Sequence, residues 1–116
     1  MDSKNKYVTW DEFEKIDIRV GTIIEVEDFP EAIKPAYKIK IDLGRKIGIK
    51  QSSAQITDLY SKEDLLGKQV MAVTNLPPKR VGPFMSECLI TGFYRNDRKV
   101  ILAIPDNEIE NGSLLA

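Results

Sequence analysis

A proline-rich segment in the second half of the chain, residues 75–86, concentrates side chains that could hold a polymeric ligand. It carries the cations Lys79 and Arg80, and the neutral side chains Asn75 and Ser86 stand at its two ends. Three prolines stiffen the segment, which reduces the entropy lost when a ligand is held. Cations neutralise phosphate groups, and amides or hydroxyls hydrogen-bond to sugars or bases. An ordinary proline-rich connection with a solvated Lys–Arg pair explains the same pattern equally well.

A second segment, residues 47–56, runs from apolar residues into small polar ones without a turn dipeptide. Lys50 and Ser53 therefore stand near the end of a predicted strand, where a cation and a hydroxyl could meet a ligand. The alternative is structural, because Ser52 and Ser53 could cap a helical turn that begins at Ala54.

Three aromatic side chains could stack on bases or cover apolar peptide: Phe84, Phe93 and Tyr94. Each is expected in the core more often than on a binding platform. Met85 follows Phe84, and its flexible thioether side chain suits contact with varied partners.

The composition excludes much of catalytic chemistry. The 116 residues include no histidine, which excludes Ser-His-Asp triads, Cys-His pairs and zinc sites that use histidine. Cys88 is the single cysteine, and we expect it to be a small core residue rather than a nucleophile. The glycine spacing matches no phosphate-binding loop, and no carboxylate spacing marks a metal centre. We therefore predict no enzymatic activity, no metal and no cofactor.

Charge is segregated along the chain although the net charge is only -1. Residues 1–32 carry nine acidic and four basic side chains, whereas residues 33–50 carry six basic and one acidic. Residues 79–100 form a second basic block, with five basic and two acidic side chains. If the fold joins the two basic blocks, a near-neutral protein acquires a basic face. The alternative is that alternating lysines mark the solvated side of a strand.

Local patterns predict short strands and two small helices. Thr9 and Glu12 fit a capping box for a helix that ends near Lys15, and Ser61 fits the cap of another. Alternation of apolar and polar residues predicts strands within residues 16–26, 37–43, 47–49, 68–76, 87–94 and 100–104. In the first strand Gly21 is placed where a bulge would restore the register.

Five or six strands with few helices predict an all-β fold. A five-stranded oligonucleotide/oligosaccharide-binding (OB) barrel, with a helix after the third strand, fits this order. We expect one domain over residues 1–116, with extensions at about 1–15 and 105–116. The start of the chain has no apolar signal core and no stretch reaches membrane-spanning length. We therefore expect a soluble cytoplasmic protein.

Several stretches resemble one known family, the tRNA-binding domain appended to methionyl- and phenylalanyl-tRNA synthetases and to the endothelial monocyte-activating polypeptide. These stretches are residues 16–23 (IDIRVGTI), residues 41–44 (IDLG) after Tyr37, and residues 75–86. Residues 48–57 (GIKQSSAQIT) and 75–80 (NLPPKR) are most similar to the free-standing secretion chaperones of that family, the CsaA branch.

The resemblance implies an OB barrel that forms a homodimer through its terminal extensions. An apolar tail agrees with this, since Ile109, Leu114 and Leu115 would be better buried. The resemblance also implies RNA contacts at the matching positions, which are Asn75, Lys79, Arg80 and Ser86. Pro77 and Glu87 depart from the synthetase pattern by one lost cation and one gained anion, which should weaken RNA binding.

Two functions follow as hypotheses. The first is a non-catalytic, export-related chaperone, in which unfolded preproteins bind a groove with an apolar floor of Phe84 and Met85. Its basic rim would comprise Lys50, Lys79 and Arg80. The alternative is a structure-specific tRNA-binding protein that uses the same basic face.

Overall fold

The computed structural model describes residues 6–116 and is built mainly from antiparallel strands. Its helices are short, and none in the described part of the chain is long and apolar enough to cross a membrane. In chain order the elements are α1 (Trp10–Glu14), β1 (Ile18–Asp28), β2 (Tyr37–Asp42), α2 (Gly44–Ile47), β3 (Ile49–Ala54), α3 (Lys62–Leu65), β4 (Gln69–Val73), β5 (Lys79–Val81), β6 (Phe84–Ser86), β7 (Leu89–Ile90), β8 (Gly92–Tyr94) and β9 (Val100–Leu102).

The strands form a nearly closed barrel, which confirms the all-β, OB-type prediction. The main sheet has the order β3-β2-β1-β4-β7, and β5–β6 and β8–β9 are two-stranded hairpins. Helix α3 follows the third strand and buries Leu65 completely. The side chains of Ile23, Ile39, Ile41 and Val70 fill the centre, because alternate residues of β1, β2 and β4 face inward.

Both predicted helix starts are confirmed as complete capping boxes. The Thr9 hydroxyl accepts the Glu12 N–H at 3.0 Å, and the Glu12 carboxylate accepts the Thr9 N–H at 2.8 Å. Ser61 and Asp64 make the same reciprocal pair at α3. Hydrogen bonds from the capping residues hold the pKa of Glu12 and the pKa of Asp64 below their ordinary values.

One local prediction is wrong, and one alternative that the sequence left open does not form. The bulge in β1 lies between Ile23 and Glu25, not at Gly21. Gly21 is instead a point of close approach, where a Cβ would lie 2.7 Å from Ile41 Cγ1. After β2 the chain turns at Gly44 into the single-turn helix α2. The helical turn weighed at Ala54 does not form, since β3 runs through this residue.

The connection over residues 75–86 contains more structure than a stiff loop. Beyond the two prolines the chain folds into the β5–β6 hairpin, in which Val81 faces Phe84 and Lys79 faces Ser86. The single strand expected over residues 87–94 divides into β7 and β8. β7 pairs with β4, whereas β8 pairs with β9.

The C-terminal segment lies against β1. Gly112 N–H donates to the Val20 carbonyl at 2.7 Å, and Leu115 N–H donates to the Ile18 carbonyl at 2.9 Å. Between these bonds the buried Arg19 side chain donates to the Gly112 carbonyl at 2.9 Å. The C-terminal segment therefore lies along the start of β1, the strand that follows α1. The first five residues of the predicted N-terminal extension lie outside the described residues.

Candidate functional site

The β5–β6 hairpin distributes the predicted site residues over two faces. Residues that stand opposite each other in an antiparallel pair project to the same face. Lys79 and Ser86 therefore share the face that is turned to the barrel, whereas Arg80 and Met85 share the outer face. The structure thus places the two predicted cations of residues 75–86 on opposite sides of the hairpin.

The inner face of the hairpin is joined to β3 by side-chain hydrogen bonds. Ser53 N–H donates to the Ser86 hydroxyl at 3.0 Å, and the buried Ser52 hydroxyl donates to the Cys88 carbonyl at 2.9 Å. Next to them the Gln51 N–H donates to the Glu87 carboxylate at 3.1 Å. We call this set of contacts the seam. Ser53 and Ser86, both candidate ligand-binding residues, lie together here and bond to each other.

The two residues of the predicted apolar floor, Phe84 and Met85, also lie on opposite faces of the hairpin. Phe84 is half-buried, and its ring meets the ring of Phe29 edge to face at 5.4 Å between centroids. Met85 points from the other face of the hairpin and is 37% exposed. Phe84 therefore anchors the hairpin, and only Met85 offers free apolar surface.

Asn75 ties the start of β1 to the end of β4. Its amide oxygen accepts the Asp17 N–H at 2.9 Å, and its amide nitrogen donates to the Lys15 carbonyl at 2.6 Å. A role for Asn75 in ligand contact stays a prediction. Its two hydrogen bonds to backbone groups also give Asn75 a structural role.

Replacing Asn75 with alanine is expected to lower the free energy of unfolding by about 1–2 kcal/mol, because two backbone groups lose their partners. Urea denaturation of the variant checks this value. Asn75→Asp is the matched control, since it keeps the acceptor for Asp17 and should lose less. Unchanged stability together with weaker ligand binding would instead assign Asn75 to the ligand.

The first basic block is partly neutralised by the acidic block that precedes it. Lys38 on β2 lies 4.0 Å from the Glu27 carboxylate on β1, and Lys40 lies 3.5 Å from Glu25. The antiparallel register places these residues opposite each other. Exposed pairs of this kind contribute little stability, but they remove two lysines from any free basic face.

Lys50 lies near the opposite end of β3 from Ser53, beside Cys88 and Glu87. Burial, the largest cause, and the Glu87 charge raise the pKa of the Cys88 thiol to about 11, whereas the Lys50 charge acts in the opposite direction. A protonated, buried thiol agrees with the predicted core role of Cys88. Lys50 does not line the groove described next.

The largest site that includes predicted residues is a groove between β3 and β8, with a volume of about 490 Å³. We call it the β3–β8 groove. Residues 53–56 form one wall, residues 89–92 form the other, and Lys79, Tyr94 and Val100 complete the lining. Its surface is mixed, since Ile56 and Leu89 are apolar whereas Ser53 and Lys79 are polar.

A second hollow of about 300 Å³ shares Gln55, Tyr94 and Val100 with this groove. Lys34 and Arg98 line it, together with Asp58. Lys34 belongs to the first basic block, and Arg98 and Lys79 belong to the second. The two blocks therefore do meet along one surface, but they meet around Tyr94 and not around Lys50.

Tyr94 was named among the aromatic residues that could stack on bases, although a position in the core was favoured for it. It is 68% exposed, and the guanidinium carbon of Arg98 lies 4.2 Å from the centre of its ring. Phe93, on the other face of β8, is exposed too, so the core assignment of both residues is wrong. β8 belongs to a two-stranded hairpin, which leaves these rings uncovered. The useful signal was the polar turn directly after Tyr94.

The turn between β8 and β9 is held by an ion pair that positions Arg98. Arg95 forms two hydrogen bonds with the Asp97 carboxylate, which also accepts the Lys99 N–H at 3.2 Å. The Arg95 bond, the largest cause, lowers the pKa of Asp97 to about 2. Arg98 adopts a left-handed backbone with φ of 69°.

Within residues 6–116 no three His, Cys, Asp or Glu side chains are grouped to hold a metal ion.

Comparison with known proteins gives relatives over nearly the whole chain. The CsaA chaperone protein from Picrophilus torridus is 52% identical, with a TM-score of 0.89 over 95% of this chain and 100% of that chain. Chaperone CsaA from Bacillus anthracis is 44% identical, with the same TM-score over 95% and 99% of the two chains.

Methionine–tRNA ligases are relatives through one of their parts. The ligase of Thermococcus kodakarensis is 39% identical over 110 residues, which make up 95% of this chain but 14% of the ligase. The family model described as "Putative tRNA binding domain" matches residues 18–114. The resemblance of residues 16–23 and 48–57 is thus confirmed, and the chain belongs to the tRNA-binding domain family, in which its solved relatives include CsaA chaperones.

Proposed function

We propose that the chain is a non-catalytic, homodimeric chaperone of the cytoplasm that binds extended segments of unfolded preproteins before export. The β3–β8 groove is the observation that carries this proposal. It is long, open and lined by apolar as well as polar residues, which suits varied client segments better than one small molecule. The identity to solved CsaA chaperones supports the same function.

Apolar client side chains would contact the wall formed by residues 89–92, which we call the apolar wall. Leu89 is 49% exposed on this wall, so a client can still remove apolar surface from water. Lys79 at the rim adds a positive charge, and Ser53 adds polar groups. Arg80 and Met85, on the outer face of the hairpin, would contact parts of a client that extend beyond the groove.

Leu89→Ser is expected to weaken binding of an unfolded preprotein about tenfold, because the client loses apolar contact in the groove. Fluorescence anisotropy with a labelled, denatured preprotein measures the Kd. Leu66→Ser is the matched control, since Leu66 is similarly exposed but lies outside the groove. Equal Kd values for both variants and the wild type would contradict this placement of clients.

A structure-specific tRNA-binding function is the second candidate. The cluster of Lys34, Lys79 and Arg98 around an exposed tyrosine favours it, since cations with an aromatic face bind single-stranded nucleic acid. Tyr94 would stack on an unpaired base, and the three cations would neutralise phosphates. The curated relatives that are tRNA ligases support this candidate.

The homodimer is proposed to form through helix α1 and the C-terminal segment. Helix α1 exposes Trp10 and Phe13, and the C-terminal segment exposes Leu114 and Leu115. Monomeric proteins rarely leave so many large apolar side chains uncovered in neighbouring segments. A two-fold arrangement would bury these side chains against the same surface of a second copy.

The double variant Leu114→Ser and Leu115→Ser is expected to shift the protein from dimer to monomer, raising the dimer dissociation constant at least tenfold. Sedimentation equilibrium measures this shift. Ile33→Ser is the control, because Ile33 is fully exposed on the connection between β1 and β2. A wild-type protein that sediments as a monomer would refute the proposed dimer.

A further inference from the structure

Residues 89–94 form an extended segment with one paired and one unpaired edge. On the paired edge Thr91 N–H donates to the Met71 carbonyl at 3.0 Å, and Ala103 N–H donates to the Thr91 carbonyl at 3.1 Å. Arg95 N–H continues this edge by donating to the Lys99 carbonyl at 2.8 Å. In an antiparallel ladder, the backbone groups of successive residues point to alternate edges.

The alternate residues of this segment, Ile90, Gly92 and Tyr94, therefore turn their N–H and C=O groups to the other edge. All three line the β3–β8 groove. Their backbone groups make no hydrogen bond to any residue between 6 and 116. The groove thus runs along a strand edge that is ready to pair.

The opposite wall of the groove is also a strand edge. Ser53 N–H points away from β2, since it donates to the Ser86 hydroxyl. Its carbonyl points the same way and accepts no hydrogen bond within the described chain. The seam joins β3 to the hairpin through side chains, and beside it the Glu87 N–H donates to the Gln51 carbonyl at 2.8 Å. Beyond these contacts no hydrogen bond within the described residues joins residues 53–56 to residues 90–94, so the nearly closed barrel leaves a gap in its ladder here.

We propose that clients bind by strand addition at this edge: an extended peptide segment lies in the β3–β8 groove and pairs its backbone with Ile90, Gly92 and Tyr94. This inference rests on the proposed chaperone function and supplies its recognition mode. Backbone pairing requires no particular client sequence, so it suits a protein that receives many unfolded chains. Alternate client side chains would face the apolar wall or the solvent.

The charges around the groove favour acidic clients. Lys79 stands on the lining of the groove, and Lys34 and Arg98 stand beyond Tyr94, against one acidic residue, Asp58. A segment that alternates apolar and acidic residues would place valine or leucine side chains on the apolar wall. Its carboxylates would then lie on the solvent side, where they meet the cations.

The test uses a hexapeptide of alternating valine and glutamate, acetylated and amidated at its ends. Two further versions carry N-methyl groups, on either the valine or the glutamate amides. Strand addition uses the amides of one set only, because the other set points away from the edge. Methylation of one set is expected to weaken binding more than tenfold, and methylation of the other less than twofold. Equal effects of the two versions, or no binding of the unmodified peptide, would overturn the proposal.

Amide hydrogen exchange measured by NMR provides a second readout without altering the protein. The unmodified peptide is expected to slow exchange at Ile90, Gly92 and Tyr94 at least tenfold. Phe93 is the internal control, since its amide already lies on the paired edge. Unchanged exchange at all three sites overturns the proposal, and so does protection by an oligouridylate but not by the peptide.

Binding of a denatured preprotein, measured in the same samples, distinguishes a failure of strand addition from a failure of the chaperone function. If the preprotein binds while the three amides stay unprotected, strand addition is refuted and the chaperone function stands. If neither the preprotein nor the peptide binds, the chaperone function fails and the recognition mode fails with it. Protection of the three amides by both ligands supports both.

Discussion

Reversing the charges of Lys34, Lys79 and Arg98 together is expected to lower the affinity for tRNA about a hundredfold or more at about 50 mM salt. These cations surround Tyr94 on one surface, so each would neutralise a phosphate of the bound strand. Glutamate at these positions removes the three contacts and adds repulsion. Filter binding or anisotropy with labelled tRNA at two salt concentrations measures the change.

The salt dependence distinguishes local contacts from net charge. Loss of three phosphate contacts should make the plot of log affinity against log salt shallower by about 2 to 3 units. The control reverses three exposed cations outside the groove, Lys15, Arg45 and Lys46, and produces the same change in net charge. An equal loss in the control would point to the general field of the protein. Unchanged affinity in the groove variant would remove this surface from the tRNA hypothesis.

Replacing Asp17 with asparagine is expected to lower the free energy of unfolding by about 2–3 kcal/mol. The Asp17 carboxylate accepts a hydrogen bond from Arg19 Nε at 2.8 Å and a short one from the Thr74 hydroxyl. The Arg19 side chain is only 9% exposed. Without the carboxylate a buried guanidinium loses its counter-charge, and the neutral amide oxygen of asparagine replaces the charge-assisted acceptor of Arg19 and Thr74 with a weaker one. Urea denaturation measures the loss.

The same carboxylate makes the stability depend on pH. The hydrogen bond from Arg19, the largest cause, and that from Thr74 hold the pKa of Asp17 below its ordinary value, although burial opposes them. A lowered pKa stabilises the folded state above the unfolded pKa of about 3.9, and this contribution is lost as the pH falls through the folded value. The wild-type and Asp17→Asn curves should therefore converge below about pH 4.

Asp11→Asn controls for the general effect of removing an exposed carboxylate from the same region. Its curve is expected to follow the wild type within about 0.5 kcal/mol. A constant gap between the wild-type and Asp17→Asn curves down to pH 2 would contradict the assigned role of the carboxylate.

The features that sequence reasoning predicted well depend on neighbours in the chain. The Thr9 and Ser61 caps use residues three positions away, and the strands follow alternation within a few residues. The OB-type barrel follows from the number and spacing of such strands. Gly21 was interpreted wrongly because its role depends on Ile41, which reaches it only through the pairing of β1 with β2.

The candidate site was predicted in part for the same reason. Of residues 75–86, Lys79 lines the groove, but the sequence does not specify which side chains of a hairpin share a face. That division follows from the pairing of Arg80 with Met85, which separates Arg80 from Lys79. Tyr94 was assigned to the core because aromatic residues usually lie there. Its exposure follows from the absence of a third strand beside the β8–β9 hairpin in the described chain.

The unpaired edge of residues 90–94 also affects the solubility of the protein at high concentration. An edge open to foreign strands is equally open to the same edge of another molecule, which is how many β-proteins aggregate. If two such edges paired, Lys34, Lys79 and Arg98 of both molecules would come close together. Repulsion between these like charges therefore opposes the pairing of one molecule with another. High ionic strength screens this repulsion. Concentrated samples in strong salt should therefore precipitate before dilute ones in weak buffer do.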